Sequence, residues 1–433
     1  MDVTYLERSR SQQPEADHLK YIIIVGDGMA DYPVPELGNL TPLQVAQKPN
    51  IDSLAAKGRS GLLKTVPNSM SPGSDVAILS VLGYDPVTSC AARGPLEAPA
   101  RGIQLTEDDA AFRCNLITEK DGELVDYSAG HITSKESSEI IASVKETFEK
   151  QGDIEFFSGL DYRHFMILRS RQNPQLIECT PPHDAIGRRI TEILPKAKTP
   201  EAERTAALLR KTILESKQVL ASHPVNIDRV KAGKNPGNMI WPWGGGKKPS
   251  IESFWEKYGL KAAVISAVDL VKGIGTYVGM EVIDVPGATG SHDTDYEGKA
   301  EWALKALASN DLVFVHVEAP DEAGHVRDFR LKVKTIEDLD RRLVGKIIVG
   351  LSEPHAIAVL PDHPTPITVG THTRDPVPFV ICSPFLEPDG VREFDEFSAR
   401  NGAFGLIENG GFMSLLVKDK FTEPCMNQAE SNV

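Results

Sequence analysis

The sequence lacks the features that direct a protein into a membrane, out of the cell or onto nucleic acid. No stretch approaches the roughly 18 apolar residues of a membrane span, and residues 1–20 have neither the basic nor the apolar region of a secretory signal. The five cysteines form no C-x-x-C pair, which is typical of a reducing compartment. The net charge of -14 excludes the basic excess that phosphate backbones require. We expect a cytoplasmic protein that binds neither membranes nor nucleic acid.

Aspartates follow three predicted apolar strands. Residues 21–25 precede Asp27, residues 311–317 precede Asp321, and residues 356–360 precede Asp362. Strands of this kind alternate with predicted helices along the chain, which indicates an α/β fold with a parallel sheet. Because the carboxyl ends of parallel strands meet at one edge of a sheet, we expect the three carboxylates to converge there.

Histidines lie close to these aspartates in the sequence. His363 follows Asp362 directly, and His372 lies in the same proline-rich loop. His325 is four residues after Asp321, so the two share one side of a helix if this segment is helical. Crowded carboxylates repel one another, and divalent cations relieve that repulsion. The pattern therefore predicts a site for two metal ions at the sheet edge.

Ser74 is a candidate nucleophile. The sequence Pro-Gly-Ser, followed by the apolar residues 76–82, places Ser74 at the N-cap or in the first turn of a helix. Serine at such a position can simply cap the helix. It can also accept a phosphoryl group if a metal ion lowers its pKa, because no histidine is adjacent in the sequence.

Residues 90–258 are richer in charged and turn-forming residues than the flanking sequence. They predict a smaller α+β domain inserted into an α/β domain that comprises residues 1–89 and 259–433. The three glycines before Lys247 predict a mobile hinge or an anion-binding loop. Together the basic residues of the insert predict a cationic pocket in an acidic chain. The candidates are Arg113, His131, Arg163, His183, Lys247 and Lys248.

A series of motifs, in order along the chain, resembles the metal-binding motifs of the alkaline phosphatase superfamily. They are Gly26-Asp27-Gly28, Pro72-Gly73-Ser74-Asp75, residues 319–325, Pro361-Asp362-His363 and Thr371-His372-Thr373. Within that superfamily the chain is similar to the cofactor-independent phosphoglycerate mutases of the archaeal type, and the similarity continues through the insert at residues 112–115, 126–131 and 182–184. The resemblance implies a mostly parallel sheet flanked by helices, with an inserted domain.

The resemblance also implies a set of metal ligands. One ion would be held by Asp27, Ser74, Asp362 and His363, and the other by Asp321, His325 and His372. Manganese is usual in that family, and oxygen and imidazole ligands would also accept zinc or magnesium. The family needs no 2,3-bisphosphoglycerate.

The mechanism that the resemblance implies is a transfer within one bound substrate. Ser74 would take the phosphoryl group of 3-phosphoglycerate, and the glycerate would recover it on its 2-hydroxyl while domain closure excludes water. Asp184, or otherwise His183 or His131, would carry the proton between the two hydroxyls. The substrate's carboxylate and phosphate would be held by Arg113, Arg163, Lys247 and Lys248.

One segment departs from the family's pattern. Where these mutases commonly present arginine, residues 241–249 of this chain include Lys247 and Lys248. Lysine lacks the bidentate fork that arginine offers a carboxylate or phosphate. Two alternatives therefore stay open: a metal-dependent phosphotransferase or phosphatase acting on another small phosphoester, and the branch of the family proposed to comprise homoserine kinases.

Overall fold

The computed structural model describes residues 19–169, 173–352, 354–408 and 410–417. Most of the N-terminal segment considered above, and Cys425, lie outside these residues. Among the described cysteines, Cys90, Cys114, Cys179 and Cys382, none forms a disulfide. Every helix in the described ranges is too short or too polar to cross a lipid bilayer.

The described chain contains both strands and helices in alternation. The strands are β1 (Lys20–Gly26), β2 (Arg59–Leu63), β3 (Ala110–Lys120), β4 (Glu123–Asp126), β5 (Ile154–Phe157), β6 (Arg163–Leu168), β7 (Ile177–Glu178), β8 (Lys196–Ala197), β9 (Met239–Lys247), β10 (Ala262–Ile265), β11 (Glu281–Ile283), β12 (Leu312–Val317), β13 (His355–Leu360), β14 (Val377–Cys382) and β15 (Gly405–Ile407).

The helices vary from single turns to five turns. The α-helices are α1 (Pro42–Val45), α2 (Pro49–Lys57), α3 (Ser74–Val81), α4 (Pro86–Ser89), α5 (Arg93–Glu97), α6 (Ser134–Phe148), α7 (Ile190–Ile193), α8 (Glu203–Leu220), α9 (Pro224–Lys231), α10 (Phe254–Tyr258), α11 (Asp269–Tyr277), α12 (Tyr296–Ala306), α13 (Ala319–His325), α14 (Phe329–Asp338), α15 (Gly345–Gly350) and α16 (Gly411–Leu416). A π-helical segment, Leu339–Val344, joins α14 to α15. Short 3-10 helices cover Pro35–Leu37, Ala98–Arg101, Glu149–Gln151, Pro174–Leu176, Pro182–Asp184, Pro200–Ala202 and Ser398–Asn401.

Eight strands form one sheet in the order β11-β10-β12-β1-β13-β14-β2-β15. Neighbouring strands are parallel except at the β13–β14 and β14–β2 pairs. The central strand β1 is rich in β-branched residues, and six consecutive residues from Tyr21 onward are buried. Successive side chains of a strand point to opposite faces of the sheet, so burial of consecutive residues means that both faces are covered. The predicted α/β fold with a mostly parallel sheet is confirmed.

The chain divides into two compact units. The first comprises the residues up to Asp85, Tyr258–Ala267 and the residues from Glu281 onward, and the second comprises Pro86–Lys257 and Val268–Met280. In the second unit an antiparallel sheet, ordered β4-β3-β6-β5 with β9 on β3, packs against α6 and α8. The apolar face of β3, with Phe112 and Cys114, shares one buried core with Ile140 of α6.

Helix α11 belongs to the second unit, whereas the sequence prediction placed its residues in the first. Its packing explains the difference. Arg101 lies 2.6 Å from Asp269 in an ion pair, and the Tyr277 hydroxyl donates to the Pro95 carbonyl oxygen over 2.9 Å. Gly273 lies so close to the Leu96 carbonyl that an added Cβ would be 1.7 Å from its oxygen. This glycine lets α11 pack directly against the backbone at the end of α5.

The glycine triplet 244–246 is part of strand β9, so the expectation of a mobile hinge or anion loop there is wrong. Ala111 pairs with Gly246 and Arg113 pairs with Trp243, which leaves two residues of β9 opposite Phe112. This is a β-bulge, and Gly244 has the left-handed φ of 59° that such bulges often need. A Cβ on Gly245 would lie 2.0 Å from the Phe112 ring. The glycines are therefore structural.

Gly245→Ala should destabilise the protein because the new methyl group must displace the buried Phe112 ring. We expect the free energy of unfolding in urea to fall by about 1–3 kcal/mol, as is usual for overpacked cores. Gly237→Ala is the control, since its Cβ would make only ordinary contacts, the nearest at 3.4 Å. Equal stability of the two variants would contradict the packing role of Gly245.

Candidate active site

The carboxyl ends of the three central parallel strands bring the predicted aspartates together. The order is β12-β1-β13, and the register pairs Gly26 with Val317 and Val25 with Leu360. Asp27 directly follows β1, Asp362 lies two residues after β13, and Asp321 lies in the first turns of α13. All three are buried. The three aspartates therefore converge at one edge of the sheet, as expected.

The first set of side chains surrounds Ser74. The Ser74 hydroxyl lies 3.4 Å from Asp27 Oδ2 and 3.2 Å from His363 Nε2. His363 Nε2 is also 3.6 Å from Asp27 Oδ1 and 3.4 Å from Asp362 Oδ2. Asp27, Asp362 and His363 each offer one ligand atom to a group that could hold a metal ion. These are the residues predicted for the first ion.

Ser74 is the first residue of α3, as the sequence predicted. Gly73 is the N-cap residue and makes no side-chain cap, and the residues of α3 from Val76 to Val81 are buried. Anchored by that apolar helix, the serine hydroxyl is held beside Asp27 and His363. Free N–H groups at the start of the helix also favour negative charge at this point.

The second set consists of Asp321, His325 and His372. Asp321 Oδ2 lies 3.1 Å from His325 Nε2, and Asp321 Oδ1 lies 3.4 Å from His372 Nε2. The two histidine Nε2 atoms are 3.0 Å apart, and His325 Nδ1 is 3.1 Å from the Gly370 carbonyl oxygen. The His363 and His372 rings lie 4.1 Å apart between centroids, so the two sets are adjacent.

Burial and mutual repulsion shift the carboxyl pKa values of the first set. Burial, reinforced first by Asp362 and then by Glu318 and Asp321, raises the pKa of Asp27 well above its ordinary value. Burial, reinforced by Asp321, raises the pKa of Glu318 to about 8. A bound cation would lower these pKa values, since positive charge favours the ionised form of a carboxyl group.

In the second set the histidines outweigh burial. Burial acts to raise the pKa of Asp321, but hydrogen bonds from His325 and His372 hold that pKa well below its ordinary value. The hydrogen bond to Asp321 raises the pKa of His325 to about 9. These hydrogen bonds favour the ionised form of Asp321.

The donor set fits divalent metal ions. Two buried carboxylate oxygens, Asp27 Oδ1 and Asp362 Oδ2, have no hydrogen-bond partner among the described residues. A buried acceptor without a donor is costly, and a cation between these oxygens and His363 Nε2 would remove the penalty. Carboxylate and imidazole ligands suit manganese, zinc or magnesium to different degrees.

Sequence reasoning missed two residues next to Asp27. His316 is part of β12. Its Nε2 atom lies 2.9 Å from Asp27 Oδ2, and its Nδ1 atom lies 3.2 Å from the Ser266 hydroxyl oxygen. Glu318 Oε2 is 3.8 Å from the same Nε2 atom. Burial lowers the pKa of His316 to about 4. The position of Glu318 in the sequence could have indicated its role, because it follows β12 directly, at the sheet edge where the aspartates lie.

Three of the predicted anion-binding residues form a continuous set with aromatic rings in the second unit. The Arg113 guanidinium lies 4.9 Å from the Trp243 ring centroid, and that ring is 5.3 Å from His183. Tyr127 continues the set, 6.2 Å from His183 and 5.7 Å from Tyr162, and the Arg163 guanidinium lies 4.7 Å from the Tyr162 ring. We call this set the arginine–aromatic cluster: Arg113, Tyr127, Tyr162, Arg163, His183 and Trp243.

Within the cluster the two arginines differ in exposure. Arg113 is buried and lies 3.3 Å from Glu97 Oε1 in an ion pair, whereas Arg163 is exposed. Burial lowers the pKa of Arg113 despite Glu97, and the charges of Arg93 and Arg163 lower it further. The guanidinium groups of Arg93, Arg113 and Arg163 therefore repel one another, and a bound anion would relieve that repulsion.

The remaining predicted residues of the insert lie apart from this arrangement. Lys247 pairs with Ala110, whose side chain is in the helix-covered core, so Lys247 projects from the face of β3 opposite to Arg113. Lys248 is exposed, and so is His131. Asp184 is exposed and lies 3.8 Å from His183 Nε2. The expected pocket that joins both lysines to Arg113 is therefore not formed on one face.

Fold and site together define a candidate metal-dependent α/β enzyme with a serine nucleophile. Residues 55–226 match the family of "2,3-bisphosphoglycerate-independent phosphoglycerate mutase". A relative of that name from Methanosarcina mazei is 51% identical, and the alignment covers 92% of this chain and 100% of the relative. The chain belongs to the 2,3-bisphosphoglycerate-independent phosphoglycerate mutase family, whose members are isomerases.

Solved structures agree with this assignment. A Pyrococcus horikoshii protein has a TM-score of 0.80 and 31% identity, with 96% of this chain and 99% of that chain covered. A cofactor-independent phosphoglycerate mutase from Thermoplasma acidophilum has a TM-score of 0.65 and 31% identity, with 92% and 99% covered. Both likenesses extend over nearly the whole of each chain, so both units take part in the family resemblance.

Gly28→Ala should disrupt the candidate metal centre. Gly28 has a φ of 59°, and an added Cβ would lie 2.5 Å from Asp321 Oδ1 and 2.6 Å from the Thr365 hydroxyl oxygen. We expect the affinity of the apoprotein for Mn²⁺, measured by calorimetry, to fall by at least about tenfold, as for other displaced ligand supports.

Gly38→Ala is the matched control for the backbone strain. Gly38 has a φ of 72°, but an added Cβ would meet nothing within 4 Å. This variant should share the strain of a left-handed alanine and keep wild-type Mn²⁺ affinity. Equal affinities of the Gly28→Ala and Gly38→Ala variants would refute the importance of the close approach at Gly28.

Proposed function

We propose that this protein interconverts 3-phosphoglycerate and 2-phosphoglycerate through a phosphoserine at Ser74, without added 2,3-bisphosphoglycerate. The observation that carries the proposal is the position of the Ser74 hydroxyl, within 3.4 Å of Asp27 and 3.2 Å of His363 at the start of a buried helix. The names of the relatives at about half identity support the same reaction. We expect the reaction to take place in the cytoplasm.

The proposed centre has two metal positions. Asp27, Ser74, Asp362 and His363 would hold one ion, and Asp321, His325 and His372 would hold the other. Bound divalent ions, with manganese as the first choice, would lower the pKa of the serine hydroxyl and neutralise charge on the phosphoryl oxygens. The adjacency of the two sets supports this arrangement, because ligand atoms of Asp321, His363 and His372 also lie within 4.8 Å of one another.

The transfer is balanced within one substrate. Ser74 Oγ, which is the alkoxide at the start and the end of the cycle, forms a bond to phosphorus while the bond from phosphorus to the 3-oxygen breaks, and the 3-oxygen takes up a proton. The 2-hydroxyl oxygen then attacks the phosphoserine, the Oγ–P bond breaks, and the 2-hydroxyl proton is released. Water is not a reactant in either step. The net proton transfer from the 2-hydroxyl to the 3-oxygen needs one shuttle, for which we propose Asp184, with His183 and His131 as alternatives.

Recognition of the substrate is assigned to the second unit. Arg113 and Arg163 offer planar guanidinium groups that suit the carboxylate and phosphate of a phosphorylated hydroxy acid. The ion pair with Glu97 and the ring of Trp243 hold Arg113 in place. Lys247 and Lys248 would contribute general positive charge rather than direct contact, because the register separates Lys247 from the cluster.

Ser74→Ala should abolish the reaction while leaving the fold intact. Loss of the nucleophile should lower turnover by at least about 1,000-fold, as in other enzymes with covalent intermediates. The assay incubates Mn²⁺-loaded protein with 3-phosphoglycerate and follows 2-phosphoglycerate and free phosphate by ³¹P NMR. Ser71→Ala, which changes an exposed serine in the same loop, should be fully active. Turnover by the Ser74→Ala variant would refute the phosphoserine intermediate. Release of phosphate by the wild type without formation of 2-phosphoglycerate would indicate a phosphatase.

Arg163→Ala should weaken substrate binding rather than metal binding. A hydrogen bond to a charged group contributes about 1.5–3 kcal/mol, so KM should rise roughly 10- to 100-fold. Mn²⁺ affinity should be unchanged, since Arg163 lies in the second unit and the metal ligands lie in the first. Lys248→Ala removes an exposed cation outside the cluster and should raise KM far less. A larger effect at Lys248 than at Arg163 would place recognition elsewhere.

A further inference from the structure

Thr365 occupies the loop between the two sets of candidate ligands. It lies between Pro364 and Pro366, two residues after His363, and is fully buried. The flanking prolines restrict the backbone of this loop. No ligand role follows from its side chain in the sequence, and the proposed reaction does not use it directly.

The Thr365 hydroxyl contacts both sets. Its Oγ1 is hydrogen-bonded to Asp321 Oδ1 and lies 3.3 Å from His363 Nδ1. A carboxylate that binds a metal ion can only accept a hydrogen bond, so in the proposed centre the hydroxyl donates to Asp321. A hydroxyl that donates to Asp321 presents only its lone pairs to His363 Nδ1, which favours the tautomer with the ring proton on Nδ1. His363 Nε2 is thereby left with a lone pair that faces Asp27, Asp362 and Ser74.

The surrounding chain leaves Thr365 little freedom. A Cβ on Gly28 would approach its hydroxyl oxygen to 2.6 Å, and a Cβ on Gly324 would approach its carbonyl oxygen to 2.4 Å. The buried Lys332 ammonium donates to that carbonyl over 2.8 Å and to Asp31 Oδ2 over 2.7 Å. The Thr365 N–H donates to the Ala30 carbonyl oxygen over 3.3 Å. Two glycines and a buried ion pair thus fix one hydroxyl.

We propose that Thr365 is a positioning residue that couples the two metal positions: its hydroxyl orients Asp321 in one and selects the metal-binding tautomer of His363 in the other. The inference rests on the proposed two-metal centre. Hydrogen-bond partners of metal ligands typically contribute 10- to 100-fold in metal affinity. Since one hydroxyl serves a ligand in each set, its removal affects both binding events.

The test compares Thr365→Val with Thr365→Ser in the full-length apoprotein. Valine keeps the shape and loses the hydroxyl, whereas serine keeps the hydroxyl and loses a methyl group. Calorimetric titration with Mn²⁺ should show two binding events in the wild type. In Thr365→Val both should weaken, by roughly 10-fold or more, and in Thr365→Ser both should return to near the wild-type values.

Thr212→Val is the matched control. Thr212 is a buried threonine whose hydroxyl donates to the Leu208 carbonyl within α8, in the second unit. It should leave both Mn²⁺ affinities unchanged. Thermal unfolding of each apoprotein separates loss of fold from loss of metal affinity, because Thr365→Ser should restore the affinities even if it unfolds at a lower temperature than Thr365→Val.

The outcomes separate this inference from the proposed function. Wild-type protein that binds fewer than two Mn²⁺ ions would refute the proposed centre itself. Two wild-type binding events that persist unchanged in Thr365→Val would refute the positioning role alone. Weakening of a single event would refute the coupling, since the hydroxyl would then serve only one set.

Discussion

Repulsion between buried carboxylates is the constraint around which the first unit is organised. Parallel strands deliver Asp27, Glu318, Asp321 and Asp362 to one edge of the sheet, where they are largely removed from water. Histidines and backbone N–H groups compensate part of this charge, as Gly28 and His363 do by donating to Asp362 Oδ1. Asp27 Oδ1 and Asp362 Oδ2, which face His363, remain without hydrogen-bond donors among the described residues, and so does Glu318 Oε2, which faces His316. Divalent cations at this edge would complete the compensation, and their binding energy would then also be folding energy.

Positioning of these groups depends on residues outside the proposed ligand set. Gly28 and Gly324 leave room for Thr365, Lys332 ties the loop that carries Thr365 to Asp31, and the apolar helix α3 holds Ser74. The second unit uses a different principle. There, aromatic rings and one buried acid, Glu97, hold arginines that share positive charge. The proposed metal centre and the proposed anion-binding cluster are thus built on separate cores, each with its own packing requirements.

Local patterns in the sequence predicted the sheet edge and the acidic side chains that meet there well. Each aspartate follows an apolar run, and adjacency of parallel strands then places them together without further information. Partners whose contacts depend on distant loops could not be predicted, as with Thr365 and His316. Lys247 shows a second limit. Strict alternation from Trp243 would put it on the face of Arg113, but the extra residue at Gly244–Gly245 reverses the alternation, and only the pairing with β3 reveals that bulge.

The most direct test of a metal centre at this sheet edge is anomalous diffraction at the manganese absorption edge, from crystals grown with Mn²⁺. Two difference peaks are expected, one bounded by Asp27, Asp362 and His363, and the other by Asp321, His325 and His372. Full Mn²⁺ occupancy at other positions, with neither peak at the sheet edge, would contradict the proposal that cations balance these carboxylates.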